Sequence, residues 1–480
     1  MHNKPVNSLN LILFGITSNL AQKYLLQALY DLAEKELLPD GLKILGIART
    51  PMTKKEIRNF LIAVLQAENK HHQHEIKQTV VDNLAKKLFY IDGHIEDPNL
   101  YVKIKQFIGN ENPAGDIIYY LATYPELYET IFENLKSEQL NKQKNGWVRL
   151  MIEKPIGNNL DSARKINKSL LKYFQESQIY RLDHYLGKET LQNILTFRFG
   201  NNIFENLVNK DFVDHIQISL LEDFGVGKRG GYYDLVGALK DVGQNHLLQM
   251  LALATMDKPQ EFSNKEITHN RAKVLKDLVP SPNQIIYGQY AGYRSEKNIP
   301  PDSRTDTFFA FKTELRNKRF KGVPIYIRSG KKLKQTVTEV SIVFKKPANS
   351  LFSPIGTSIP NVLIYRVQPN EGIVLKINTK KPGQTQKLEE TYMQFCYRDY
   401  ETALPDPYEK LILDVMKGDQ TFFNDAKEIE ASWKFIDPLV GVSKDLYIYE
   451  PGSYGPKEAD DLIKADGREW LEPSNLFCKI

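Results

Sequence analysis

Residues able to move protons or hold phosphate crowd into a few short stretches of this 480-residue chain. In Tyr180-Arg-Leu-Asp-His-Tyr-Leu-Gly-Lys-Glu189, the side chains of Arg181, Asp183, His184, Tyr185 and Lys188 fall close together. On a helix His184 and Lys188 would share a face with Tyr185 beside them, and an imidazole, a phenol and an ammonium converging there can hold a phosphate dianion. A charged, solvated helix face accounts for the same residues. A second stretch, Asp241-Val-Gly-Gln-Asn-His-Leu-Leu-Gln-Met250, sets His246 among Leu247, Leu248 and Met250. An apolar setting favours the neutral imidazole, and a carboxylate partner would make it a general base; a satisfied core histidine is the plainer reading. Asp241 lies about 140° away on an α-helix and could instead cap it with Gln244. The partner of His246 is therefore expected from another segment, with Asp183 a candidate. In Ile152-Glu-Lys154-Pro-Ile-Gly157 a lysine ends a strand, the place where ligands sit in open α/β sheets. The cluster Lys331-Lys332-Leu-Lys334 could hold a phosphorylated small molecule.

These groups need a scaffold, and the first third of the chain alternates strand and helix signals. Short apolar runs at 11–14, 43–47, 116–120 and 148–152, with a helix over 20–37, predict a parallel sheet covered by helices. The first run leads through Gly15-Ile-Thr-Ser-Asn19 into that helix. A strand, a tight turn and a helix N-terminus favour an anion, yet two glycines of the usual three are missing. Read alone, the turn fits a nucleotide site or a plain strand-helix junction. The next strand ends in Gly46-Ile-Ala-Arg49-Thr50, with a cation where an NAD site usually carries an acid. Arg49 could pair with a 2′-phosphate, or it is a solvated surface residue. Beyond residue 180 the runs at 214–221, 340–344 and 372–377 alternate with period two, which predicts antiparallel strands with one face solvated or helix-covered. The stretch Thr307-Phe-Phe-Ala-Phe311 reads as core strand, and the cluster His71-His-Gln-His74 as exposed side chains.

Bulk composition excludes several classes. With 41% apolar and 26% charged residues the chain is globular, and 64 basic against 59 acidic residues, without a long run, argue against nucleic-acid binding. No run approaches a membrane span. Cys396 and Cys478 show no metal-ligand spacing, so neither a disulfide framework nor a metal site is expected, and a cytoplasmic location is.

Taken together, the motifs resemble the glucose-6-phosphate dehydrogenase family over nearly the whole length. The resemblance is carried by Glu153-Lys-Pro-Ile-Gly157, Arg181 to Glu189, Arg229-Gly-Gly-Tyr-Tyr-Asp234, Asp241 to Gln249, Gly322-Val-Pro-Ile-Tyr-Ile-Arg-Ser-Gly-Lys331 and Pro405 to Gln420, in that order. It implies an α/β Rossmann-like coenzyme domain over 1–182 and an α+β domain with a large, mainly antiparallel sheet over 183–480. It implies oxidation of glucose 6-phosphate at C1 to the 6-phospholactone, with hydride passing to NADP, at the entry to the oxidative pentose phosphate route. By the same resemblance His246 is the base and Asp183 the carboxylate that orients it. His184, Tyr185 and Lys188 bind the phosphate, Glu222 and Asp241 hold sugar hydroxyls, Lys154 lies between sugar and nicotinamide, and Lys331 adds a basic contact. Gly15, Thr17, Ser18, Leu20, Arg49 and Lys154 form the coenzyme set, and a homodimer or homotetramer is implied.

The family's turn reads Gly-x-x-Gly-Asp-Leu-Ala followed by basic residues, where this chain has Gly15-Ile-Thr-Ser-Asn-Leu-Ala21, then Gln22, Lys23 and Tyr24. Near Lys331 a further basic contact could come from Lys334, and Gln335 and Thr336 cannot supply the charge. Two other readings make different predictions. A non-catalytic homologue with an impaired coenzyme site would bind sugar phosphate without reducing NADP. An enzyme using NAD as well would lose little NAD turnover when Arg49 is replaced.

Overall fold

Six parallel strands form the first sheet: β1 (Ser8–Phe14), β2 (Gly41–Ala48), β3 (Leu88–Asp92), β4 (Asp116–Leu121), β5 (Val148–Ile152) and β6 (Ile179–Arg181). Their spatial order is β3-β2-β1-β4-β5-β6, the doubly wound order with its switch point between β1 and β4. The computed structural model describes residues 8–72, 76–347, 351–352, 359–384, 386–400, 404–441, 445–474 and 477–478, and side chains outside 68–72; the histidine cluster at 71–74 lies outside the described side chains. The central strands are buried on both faces, as helix-covered parallel strands must be. The expected helix over 20–37 forms as a π-helical turn, Ala21–Leu25, running into an α-helix, Leu26–Glu34.

The chain forms two compact units, Met1–Gly187 with Pro405–Ala426, and Lys188–Leu404 with Lys427–Ile480. The expected division at 182 differs: the first unit runs to Gly187 and takes in a distant segment. Packing explains why. Tyr408, Leu411, Ile412, Val415 and Met416, on one side of the helix Pro407–Lys417, share a core with Leu11, Leu25 and Leu29. Arg149 Nη1 donates to the carbonyls of Val415 and Met416 at that helix's end (2.5 and 2.8 Å), and Asn424 N donates to the Arg181 carbonyl.

The second unit holds a nine-stranded mixed sheet. Its strands are β7 (Val213–Leu221), β8 (Ile285–Tyr290), β9 (Phe308–Thr313), β10 (Ile325–Gly330), β11 (Val337–Phe344), β12 (Val362–Gln368), β13 (Gly372–Lys380), β14 (Leu388–Cys396) and β15 (Leu446–Tyr449). The order is β14-β13-β12-β11-β7-β10-β9-β8-β15. Only β7 with β10 and β8 with β15 pair in parallel. Of the two expected alternatives, a solvated or a covered face, β7 takes the covered one and is buried almost throughout. Its polar alternates, His215, Gln217 and Ser219, are buried and bonded: Gln217 donates to the Glu469 carbonyl and accepts from Leu471 N (both 2.8 Å). The backbone at Glu469 and Leu471 thus covers Gln217 on a face whose side chains read as solvent-facing.

The cysteine reading is corrected as well. Cys396, at the end of β14, and Cys478 are bonded, with Cα atoms 5.4 Å apart across 82 residues of sequence. Topology brings them together, so their spacing could not show it. Phe477 packs with Val343, Val362, Ile364 and Val374, which seats the neighbouring Cys478 against the sheet. Among the described residues, no helix is long and apolar enough to cross a membrane.

Candidate active site

At the switch point of the first sheet, β1 is followed by Gly15 with φ +86°, and an added Cβ would stand 2.5 Å from the Ala122 carbonyl oxygen. Glycine is therefore required there by both backbone angle and space. Gly15 N and Ile16 N donate to the Ile47 carbonyl (2.9 and 3.2 Å), tying the turn to β2. Ser18, which stands where the resemblance expects a second glycine, is not among the residues with positive φ. Its hydroxyl accepts from Ala21 N (3.2 Å), a side-chain cap on the helix start, and Gln22 Nε2 closes onto the Thr17 carbonyl (2.7 Å). Serine costs this turn no backbone strain because only its first residue needs the left-handed region. Thr17, Ser18 and Leu20 are half-buried. Arg49 follows β2 directly, and the pairing of Phe14 with Ile47 sets both strand ends level. The Arg49 side chain is exposed and makes no ion pair among the described residues, leaving its guanidinium available to an anion.

Lys154 stands two residues beyond β5 at the same C-terminal edge and is half-buried. Its neighbour Glu153 was not singled out from sequence. The Glu153 carboxyl is buried, accepts from the hydroxyls of Tyr120 and Tyr408, and burial pushes it up to about 7. Those hydroxyls and the Lys154 ammonium work in the opposite direction, favouring the charged form. The signal that could have found it is a carboxylate placed next to a lysine at a strand end.

The stretch from Asp183 to Lys188 is not a helix. Asp183 Oδ1 accepts from Tyr185 N (3.0 Å), and turn bonds run from Leu186 N to the Asp183 carbonyl and from Gly187 N to that of His184. Proline-free but turn-bonded, the segment enters the helix Glu189–Phe199 only after Lys188, which is its N-cap residue. The four-residue helical spacing of His184 and Lys188 therefore does not hold. Instead a tight turn presents His184 half-buried, with the buried Tyr185 ring edge-on to it at 5.0 Å and 61°.

In the second unit, the parallel register of Leu221 with Gly330 puts the next residues, Glu222 and Lys331, side by side. Lys331 Nζ lies 2.5 Å from Glu222 Oε2, buried, with the Phe224 and Tyr233 rings 5.3 and 5.2 Å away. Lys334 lies over the Tyr454 ring at 5.0 Å and Thr336 donates to Asp223 Oδ1. Asp241 and His246 occupy a π-helix, Leu239–Leu247. Bonds from i to i+5 bring positions five apart nearly one above the other, so the 140° separation that counted against Asp241 does not apply. Asp241 is half-buried and His246 is 1% exposed.

Two family models match. "Glucose-6-phosphate dehydrogenase, NAD binding domain" covers residues 12–193 and "Glucose-6-phosphate dehydrogenase, C-terminal domain" covers 195–471. The glucose-6-phosphate 1-dehydrogenase of Aggregatibacter actinomycetemcomitans is 38% identical over 488 residues, covering 98% of both chains. That of Chlamydia muridarum is 36% identical over 488 residues, covering 96% of both. Among solved structures, the glucose-6-phosphate 1-dehydrogenase of Mycobacterium avium superposes with a TM-score of 0.86 at 33% identity, covering 97% of this chain and 99% of that one. A glucose-6-phosphate dehydrogenase in complex with its substrate, glucose 6-phosphate, superposes with a TM-score of 0.90 at 30% identity, covering 98% and 100%.

Proposed function

Because the chain belongs to the glucose-6-phosphate dehydrogenase family, we propose that it oxidises glucose 6-phosphate at C1 to the 6-phospholactone with NADP as hydride acceptor. The observation that carries the coenzyme half is the shared edge: the Gly15 turn, the exposed Arg49 and Lys154 all stand at the C-terminal ends of one doubly wound sheet. Gly15, Thr17, Ser18 and Leu20 suit a pyrophosphate at a helix start, and Arg49 suits a 2′-phosphate by charge-assisted bonding. NADP supplies the acceptor for the hydride leaving C1.

On this reading His246 takes the C1 hydroxyl proton, since hydride departs only as that oxygen gains negative charge. Asp183 orients the imidazole and balances its charge after transfer. His184, Tyr185 and Lys188 hold the phosphate, and this remote binding fixes C1 in register. Glu222 and Asp241 accept from sugar hydroxyls, Lys331 donates to the sugar while its charge is balanced by Glu222, and Lys154 reaches both substrate and coenzyme. The first unit's Asx-turn at Asp183 and the parallel-strand pairing at Glu222 and Lys331 give these side chains fixed backbones, which favours preorganised binding.

We place the enzyme in the cytoplasm because its substrate is a free metabolite, the cysteine argument for that location having fallen with the Cys396–Cys478 bond, and give it a homodimeric or homotetrameric assembly, with light scattering as the test. Function is tested by incubating the protein with glucose 6-phosphate and each coenzyme and identifying the sugar product. Formation of the 6-phospholactone or its hydrolysed acid with NADP supports the reading. Sugar-phosphate binding without NADP reduction would replace it with a non-catalytic binder, and equal use of NAD would remove the role given to Arg49.

A further inference from the structure

The helix Pro407–Lys417 begins with a capping box: Asp406 accepts from Tyr408 N (2.8 Å) and Glu409 accepts from Asp406 N (3.0 Å). With proline at the first position, this fixes Tyr408 in the first turn. Lys35 pairs with Glu409 at 2.5 Å and ties the same turn to the end of the helix Leu26–Glu34. The buried Tyr408 ring lies parallel to Tyr24 (5.2 Å, 12°) and parallel to His184 (6.3 Å, 10°). Its hydroxyl bonds the Glu153 carboxyl. Gly187 closes the arrangement, because a Cβ there would stand 2.7 Å from the Pro407 carbonyl oxygen, so the turn after His184 sits directly on the helix start.

We propose that Tyr408 is a positioning residue for the sugar-phosphate site, its ring setting the plane of the His184 imidazole and its hydroxyl fixing Glu153, the carboxylate beside Lys154. The inference rests on the reading of His184 and Lys154 as substrate-binding groups. A half-buried imidazole left to choose its own rotamer spends side-chain entropy each time it meets a ligand. A parallel ring on a rigid helix removes that cost beforehand. A tyrosine kept only for packing needs some hydrogen-bond partner, and any backbone carbonyl would serve. Here the partner is a buried carboxyl that also takes the Tyr120 hydroxyl and feels the Lys154 charge. One side chain thereby reaches the neighbours of two substrate-facing groups. Tyr24 supplies a third ring on the far side of Tyr408, so the Tyr408 ring lies parallel to both.

The test compares Tyr408→Leu, Tyr408→Phe and His184→Ala in the full chain, with glucose 6-phosphate and with glucose at saturating coenzyme. Tyr408→Leu should raise KM for glucose 6-phosphate about 10-fold with kcat changed less than about threefold, and leave kcat/KM for glucose within about twofold. Tyr408→Phe keeps the ring, so KM stays near the parent's, while loss of a donor to the charged Glu153 moves the acid limb of the pH profile upward. Equal loss on both sugars by Tyr408→Leu, or an unmoved pH profile in Tyr408→Phe, overturns the inference. If His184→Ala loses phosphate discrimination and Tyr408→Leu does not, positioning fails while the site reading stands. If His184→Ala leaves discrimination unchanged, the site reading fails and takes the inference with it. Should Tyr408→Leu not fold, the Tyr408→Phe profile decides.

Discussion

Glu153 gives the account its most quantitative consequence. Replacing it with glutamine keeps an oxygen to accept from Tyr120 and Tyr408 and removes the titration. Its carboxyl is buried among Tyr120, Tyr128 and Tyr408, with Lys154 and Asp183 the nearby charges, and stands at about 7 against an ordinary 4.5. Desolvation is the main cause, outweighing the hydroxyls and Lys154. Between those two values the unfolded chain has released its proton and the folded chain has kept it. Stability therefore falls as pH rises from about 4.5 to about 7, and the loss is complete above that. The shift corresponds to about 3 kcal/mol. The assay is urea unfolding of parent and Glu153→Gln between pH 4.5 and 8. The variant should gain on the parent by about 3 kcal/mol across that span, and the parent-minus-variant difference cancels every other titrating group. Curves that run parallel across the whole range would refute the reasoning, and a gain in the opposite direction would mean that Lys154 and the hydroxyls dominate.

Other consequences follow from the same geometry. Lys331→Met leaves Glu222 half-desolvated without its cation and should raise KM for glucose 6-phosphate by about 100-fold, read from initial rates. Arg49→Ala should raise KM for NADP by about 10- to 100-fold and that for NAD by less than about twofold, because only NADP carries the 2′-phosphate. Ser18→Gly restores the family's glycine but removes a side-chain cap; with no positive φ to relieve, NADP affinity should change by less than about threefold. Cys478→Ser should lower stability by about 2–4 kcal/mol, seen as a lower thermal midpoint that dithiothreitol reproduces in the parent and leaves unmoved in the variant.

What could be read from the sequence was whatever depends on local pattern. Apolar runs separated by helical periodicity gave the parallel sheet, since strands covered on both faces must be apolar along their length. Motif order identified the family. What could not be read depends on distant chain. The segment Pro405–Ala426 joins the first unit through apolar residues whose partners lie hundreds of residues away, and no periodicity reveals that choice of core. His215, Gln217 and Ser219 look solvent-facing because their partners lie off the local pattern: Gln217 bonds backbone groups at Glu469 and Leu471, Ser219 accepts from Arg328, and His215 is held between Asp214 and Gln217. The Cys396–Cys478 bond escaped for the same reason. A subtler failure was assuming α geometry. Asp183–Lys188 is a bonded turn, so the helical spacing of His184 and Lys188 misplaced their side chains, and Leu239–Leu247 is a π-helix, to which the α-helical angle between Asp241 and His246 does not apply.

The central claim is that His246 serves as the base for NADP-linked oxidation of glucose 6-phosphate. NADPH formation by the parent and by His246→Ala, measured at saturating sugar phosphate and coenzyme beside calorimetric binding of glucose 6-phosphate, tests it most directly. The account predicts robust parental turnover, a fall in kcat of about 10²- to 10⁴-fold in the variant, and sugar-phosphate binding within about threefold of the parent. Undiminished turnover in His246→Ala, or a parent that binds glucose 6-phosphate and reduces no NADP, would contradict it.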